Sequence, residues 1–385
     1  MNNRFFGYIE GYYGRMLSWD ERSLTLDEMR RLGLNAYLYA PKEDPLHRQE
    51  WKAPYPVAWR ASFKAFVKHA HKNGVSVVAG IAPGLSFDYR SAADYTRLYN
   101  KYSSFIKMGV RRICLLMDDI PATLPWSNKK AFPSLGEAHG KLLTRLKTDL
   151  SSDVSLWFCP TVYADELVKQ SSEARHYLPD LADTMPTATI VLWTGERVIS
   201  RNISAGSLRQ VNKLFNGNVC IWDNLYANDY CPRKLFIGPY QNRAHDSARS
   251  TSGVLLNPTG LVHTDMFLLS LLAAFRKGID PRKAWEARIS EFPFAKELAL
   301  VAPFMDLPFS VLSEKTLSAH NIRRCQAALK KLIWEWKSPL QREWYPFLYM
   351  LDCDLTLFRQ TPVSASWEWI RKKYPPVLAR VLKRK

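Results

Sequence analysis

Eight times over about the first 280 residues, a short apolar run rich in β-branched and aromatic residues gives way to a longer stretch with helical spacing. The runs lie near Arg4–Glu10, Asn35–Ala40, Val75–Ala82, Arg112–Met117, Val154–Cys159, Thr189–Trp193, Val219–Trp222 and Gly253–Leu256, with starts 30 to 42 residues apart. Helix ends between them are signposted. Ser18 and Glu21 form a capping box, Gly33 stops the helix that follows, and Gly74 and Gly109 close the next two just before a strand. Runs such as ICLLM and VSVVAGIA carry no polar alternation, so both their faces are buried, as in a parallel sheet wrapped by helices. Eight βα units of this length predict a (β/α)8 barrel of the TIM type.

After a helix near Asp265–Arg276 the alternation ends. From Pro281 to Lys385 the pattern is helical, punctuated at Pro303, Pro308, Pro339 and Pro346. The chain therefore reads as an α/β barrel over residues 1–280, which carries the chemistry, and an all-helical, basic C-terminal domain over 281–385. Trp334, Trp336, Trp344, Trp367 and Trp369 in that domain are expected in core or interdomain packing. The connection from Asp223 to Ser252 shows no clear helix, and loops of that length are usually functional.

Composition narrows the function classes. With 47% apolar and 13% aromatic residues the chain has the means to build a core, which excludes long disordered segments. Its 54 Lys+Arg against 36 Asp+Glu give a net charge of +18, and residues 281–385 hold 19 basic against 10 acidic groups, densest in Arg371–Lys385. That excess is either a solvated shell or a surface for a polyanion. No zinc-finger spacing, RNP-like motif or basic zipper accompanies it, so nucleic acid is not the expected partner, and polyanion contact by the basic tail stays open. The six cysteines are scattered without a CxxC, and Cys114, Cys159 and Cys220 sit in apolar strands as small buried hydrophobes. A reducing, cytoplasmic setting and no metal follow as expectations. The most apolar stretch, Phe267–Phe275, is shorter than the about 20 residues a membrane span takes, and MNNRFFGYIEGYYG has no signal-peptide pattern. His69 and His71 face different sides of a helix, and neither a phosphate-binding GxxxxGK[ST] nor a Ser-His-Asp arrangement is present, so no cofactor is expected.

In a barrel of this kind the chemistry sits where the strands finish. The strand ends run into Gly11–Gly14, Pro41–Asp44, Pro83–Gly84, Asp118–Asp119, Pro160–Tyr163, Thr194–Gly195, Asp223–Asn224 and Asn257–Pro258. Carboxylates, amides, a lysine and a tyrosine thus converge on one rim, a donor and acceptor mixture suited to a polyhydroxylated substrate. Asp118–Asp119 is the sharpest feature. Adjacent carboxylates repel, and partial burial raises the pKa of at least one, yielding an acid beside an anion as glycoside hydrolysis requires. The dipeptide alone is better explained as the cap of the turn DDIPATLP; its position on the rim beside the other polar groups reverses that in favour of chemistry. Lys42 with Asp44 can be a solvated surface pair, Tyr163 a packing aromatic, Asn224 and Asn257 turn residues, and Asp229 a helix cap. None of those explanations accounts for their falling on the same barrel end.

Taken together, GYIEGYYGR, LNAYLYAPKEDPLHR, LLMDDI, FCPTVY, VLWTG, WDNLYANDY with its following RKLFIGPY, and GVLLNP closely resemble glycoside hydrolase family 84, the O-GlcNAcase-like β-N-acetylglucosaminidases. The motifs stand in family order over roughly residues 5–260. The helical tail is similar only loosely. Departures are small: PKEDP for PKDDP, GYYG for GFYG and NPT for NPN. The match carries no accessory domain before the barrel and no carbohydrate-binding module after it, as in a pared-down member.

The resemblance implies a retaining exo-β-N-acetylglucosaminidase with substrate-assisted catalysis, in which the 2-acetamido oxygen attacks the anomeric carbon and forms an oxazoline. By motif matching, Asp118 would orient the acetamido N–H, Asp119 would be general acid and then base, and Tyr163 would hydrogen-bond the acetamido oxygen. Gly11 through its backbone, Lys42, Asn224, Asp229 and Asn257 would hold the sugar hydroxyls, with Trp222 and Tyr13 walling the acetamido pocket or sugar face. The implied partner is a GlcNAc-bearing glycan or glycoprotein. Hyaluronan-like glycosaminoglycan fragments are the alternative substrate, and a GlcNAc-binding protein with weak turnover is the alternative function.

Overall fold

A computed structural model of the 385-residue chain describes residues 4–360. In chain order the elements are β1 (Phe5–Glu10), α1 (Trp19–Leu32), β2 (Ala36–Tyr39), α2 (Val57–Lys72), β3 (Ser76–Ile81), α3 (Ala92–Lys107), β4 (Arg112–Leu116), α4 (Leu135–Asp149), β5 (Ser155–Cys159), α5 (Asp165–Val168), α6 (Ser172–Thr184), β6 (Ile190–Trp193), α7 (Ala205–Leu214), β7 (Val219–Asp223), α8 (His245–Ser250), β8 (Gly253–Leu256) and α9 (Val262–Arg276). Helices α10 (Pro281–Ser290), α11 (Ala295–Val301), α12 (Ala319–Trp334) and α13 (Pro339–Gln360) follow. The strands pair in sequence order, all parallel, and β1 bonds β8 to close the barrel. Each lies within one residue of the run that announced it in the sequence. The fold is a (β/α)8 barrel followed by helices.

Alternate strand residues fill the barrel: Ile9, Leu38, Val78, Leu116, Leu192 and Leu255, together with Trp157 and Trp222. Two tryptophans fit inside because Ala36, Cys114, Cys159 and Cys220 in the same cluster are small, which explains the strand cysteines as space-saving hydrophobes. The described chain falls into two compact units, residues 4–224 with 242–257, and residues 225–241 with 258–360.

In the first unit, α1 starts as its sequence requires. Ser18 caps the Glu21 N–H while the Glu21 carboxylate takes the Ser18 N–H, and Gly33 ends the helix in the left-handed region. Its Arg22 side chain forms a bidentate pair with Glu10 at the tip of β1, at 2.8 and 2.9 Å. Glu10 also accepts from the Tyr37 hydroxyl and the Leu17 N–H, so this buried carboxylate anchors the β1–α1 loop. Arg22→Leu would leave the buried Glu10 side chain without its counter-ion; the expected loss is about 3–5 kcal/mol, read by urea unfolding.

Two local expectations are corrected. The 223–252 connection does contain a helix, α8, whose six residues are too few to show periodicity. Pro346 punctuates nothing. It sits inside α13, where the buried Trp344 and Leu348 hold the helix despite the lost backbone bond. In the second unit, the Glu343 carboxylate accepts from the His263 and Thr264 N–H groups and caps the first turn of α9, and Trp344 Nε1 donates to Thr264 Oγ1. Trp336 and Trp344 are core, as expected, whereas Trp334 is 64% exposed. Trp367, Trp369 and the basic segment Arg371–Lys385 lie outside the described residues. Among the described residues no helix is long and apolar enough to cross a membrane.

Candidate active site

The end of β4 is pinned before it reaches the carboxylates: the Met117 N–H donates to Cys159 O and Thr161 Oγ1 donates to Met117 O. Asp119 then adopts φ 57°, a left-handed conformation that costs a non-glycine residue energy and that aspartate tolerates better than most. The turn sends two neighbouring carboxylates in different directions. Asp118 is buried and its Oδ2 accepts from Lys42 Nζ, while its Oδ1, also buried, accepts no hydrogen bond among the described residues. Burial alone would favour a neutral Lys42 amine, but Asp118 and then Asp119 outweigh it and hold the ammonium above its usual range.

Asp119 accepts from two phenols, Tyr13 at 2.6 Å and Tyr163 at 2.9 Å, with Lys42 Nζ at 3.9 Å and an Arg48 guanidinium nitrogen at 3.8 Å. Its partial burial pushes its pKa up, but Lys42, the two hydroxyls and Arg48 together pull it below the usual carboxylate range. The expected burial-driven rise is therefore reversed at Asp119, because two donors and two cations surround it. Burial drives the phenols the other way. The Tyr13 hydroxyl is pushed up to about 12 and that of Tyr163 well above its usual value, so both keep their protons and donate.

Arg48 is the site residue that sequence reasoning passed over. It donates to the Tyr13 hydroxyl at 2.5 Å, and its guanidinium lies 5.6 Å from the Tyr13 ring centre. Its one signal was membership of the loop that carries Lys42. The same loop corrects the surface-pair explanation of Lys42 and Asp44: Asp44 is buried and accepts from Tyr39, Tyr55 and the Leu46 N–H, which shapes the loop, while Lys42 pairs with Asp118 instead.

The opposite side of the rim is an amide relay. Trp222 Nε1 and Asn257 Nδ2 both donate to Asn224 Oδ1, at 2.8 and 2.9 Å, and Asn224 Nδ2 donates to Val198 O. Asn257 Oδ1 is left buried and without a hydrogen bond among the described residues. The relay stands on the Asp223–Arg243 pair, bidentate at 2.8 Å, whose arginine also bonds Ser200 O and Arg201 O. Gly11 is needed for clearance, since a methyl there would lie 2.6 Å from the Trp222 ring. The structure thus brings together Asp118, Asp119, Lys42, Tyr13 and Tyr163 on one side, and Gly11, Trp222, Asn224 and Asn257 on the other. Asp229 belongs to the second unit, where its Oδ1 accepts the Tyr230 N–H, and its place in the site rests on the sequence motif. Among the described residues no three His, Cys, Asp or Glu side chains group as metal ligands.

Comparison with known proteins places the chain in a family. The family model for β-N-acetylglucosaminidase (NAGidase) matches residues 6–304, from the first strand through the barrel and beyond. The chain belongs to the β-N-acetylglucosaminidase family. Among relatives, the Protein O-GlcNAcases of Rattus norvegicus and Mus musculus are each 30% identical over 271 residues, 70% of this chain. The match spans about 30% of the length of those relatives. A variant of the O-GlcNAc hydrolase of Thermobaculum terrenum superposes with a TM-score of 0.83 at 25% identity, covering 99% of this chain and 87% of that one. All the rim residues described above, from Gly11 to Asn257, fall within the stretch matched by the β-N-acetylglucosaminidase family.

Proposed function

We propose that this chain removes terminal β-linked N-acetylglucosamine from O-GlcNAc proteins or glycans, with retention and through an oxazoline. The observation that carries the reading is Asp118 Oδ1: a buried carboxylate oxygen with no donor among the described residues, on the same turn as Asp119, asks for an N–H or O–H from a substrate. The acetamido N–H supplies one. Asp118, charged beside Lys42, then raises electron density on the acetamido oxygen as it closes on the anomeric carbon, and the fixed geometry lowers the entropic cost of ring closure. Tyr163 turns its hydroxyl from Asp119 to that oxygen, and with a donor removed and the sugar excluding water, Asp119 takes up the proton it delivers to the leaving oxygen. Asn257 Oδ1, the second orphaned acceptor, takes a sugar hydroxyl, with Asn224, Lys42, Asp229 and the Gly11 backbone. The chemistry is assigned to the barrel over residues 1–280.

The test compares a fluorogenic β-N-acetylglucosaminide with the matching β-glucoside. Turnover of the acetamido sugar alone is expected, because the glucoside leaves Asp118 unpaired and brings no nucleophile; equal rates on both would defeat the reading.

A pH profile tests the Asp119 assignment separately. The reactive complex carries the proton on Asp119, so kcat/KM falls as pH rises through the pKa that Asp119 has in the free enzyme. Tyr13 is one of the groups holding that pKa down, so Tyr13→Phe raises it and moves the alkaline limb to higher pH. An unmoved limb would assign it to another group.

Six free cysteines, three of them inside the barrel, support a reducing and hence cytoplasmic setting. Contact of Arg371–Lys385 with a polyanion is tested by retention on heparin resin before and after its deletion; unchanged elution would remove that idea.

A further inference from the structure

Away from the rim residues, α2, α3 and residues 52–55 enclose a hollow of about 460 Å³. Among the described residues five cations line it, Lys52, Arg60, Arg97, Lys101 and Lys107, and no Asp or Glu does. Asp94 offsets part of this charge, pairing with Lys52 at 2.8 Å and Arg97 at 3.2 Å. Arg60, Lys101 and Lys107 have no ion pair among the described residues. Asn100, Ser103 and Ser104 add neutral donors to the same wall.

Lys101 sets this hollow apart from an ordinary basic surface. It is 5% exposed, its ammonium donates to Leu46 O and Trp51 O, and it lies 4.7 Å from the Tyr55 ring centre. Two carbonyls use two of its three N–H donors. Burial, against the pull of Asp44, pushes this ammonium down to about 8. A cation kept inside a protein with no carboxylate in ion-pair contact is costly unless something else neutralises it.

We infer that the hollow is a second ligand site, separate from the sugar site, for a compact oxyanion of the diphosphate class. A single phosphate would leave cations unmatched. Two linked phosphate groups carry enough acceptors and charge to meet Arg60 on α2 and Lys101 and Lys107 on α3 together. Arginine supplies the forked contact and lysine the point charge that phosphate oxygens take.

The test is calorimetric titration of the full chain with inorganic pyrophosphate at low salt, repeated with a nucleoside diphosphate. Saturable one-to-one binding is expected, weakened about tenfold or more in Arg60→Ser/Lys107→Ser. That variant should hydrolyse the fluorogenic β-N-acetylglucosaminide like the wild type, which shows that it is folded and separates this site from the sugar site. Lys101→Met should weaken binding further. Tighter binding of the nucleoside diphosphate would identify an ester as the source of the diphosphate, and tighter binding of pyrophosphate a free anion. No saturable heat with either, or binding unchanged in the double variant, would overturn the inference.

Discussion

Asp119→Asn is expected to cut kcat on an alkyl β-N-acetylglucosaminide, such as a serine-linked sugar, by about 10²- to 10⁴-fold, the usual yield of a positioned general acid. The loss on a dinitrophenyl glycoside should be much smaller, because that leaving group departs without a proton. Tyr13 and Tyr163 donate to different oxygens of Asp119, at 2.6 and 2.9 Å; the amide oxygen can keep one of these bonds and the amide NH2 can donate to the other hydroxyl oxygen, so the turn should hold and the melting temperature change little. Measuring kcat/KM for both leaving groups on one preparation separates the two effects. Equal losses would mean that the proton comes from elsewhere.

Asp118→Asn should behave differently on both counts. Its carboxylate stabilises charge developing on the acetamide whatever the leaving group, so alkyl and activated glycosides should lose a similar factor, about 10²–10³ for one preorganised electrostatic partner. It is also the main counter-charge of the buried Lys42 ammonium. Neutralising it leaves Lys42 with Asp119 at 3.9 Å, and a stability loss of up to about 3–5 kcal/mol is expected in urea. Lys42→Met on top of Asp118→Asn should restore part of that stability and none of the activity, since the stranded charge is gone while the acetamide still lacks its partner. Full restoration of activity would show that Asp118 matters only as a partner for Lys42.

The barrel was legible because its signals are local. Each strand is a short apolar run bounded by polar residues, and α1 carries its capping box and its Gly33 stop in the sequence. The rim residues were legible because strand ends are fixed once strands are, which placed Asp118, Lys42 and Asn257 on one face without side-chain coordinates. What stayed hidden depends on side chains meeting across loops. Arg48 reaches Tyr13 from 35 residues away, and Arg243 pairs with Asp223 across 20 residues of a long connection. That the Asp119 pKa falls stayed hidden for the same reason. Burial can be inferred from a strand end, but the two hydroxyls and two cations that outweigh it come from three other segments. α8 escaped because six residues show no period, and Pro346 misled because the packing that rescues a proline inside a helix is tertiary.

The central claim is that the acetamido oxygen of the substrate is the nucleophile, and replacing its methyl group with CH2F, CHF2 and CF3 tests that claim most directly. Fluorine withdraws electron density from the carbonyl oxygen while barely altering the sugar. The wild type should lose kcat/KM steeply and progressively along the series with a fixed leaving group. A flat series would mean that an enzyme group or water attacks the anomeric carbon, and it would contradict the roles given to Asp118 and Tyr163.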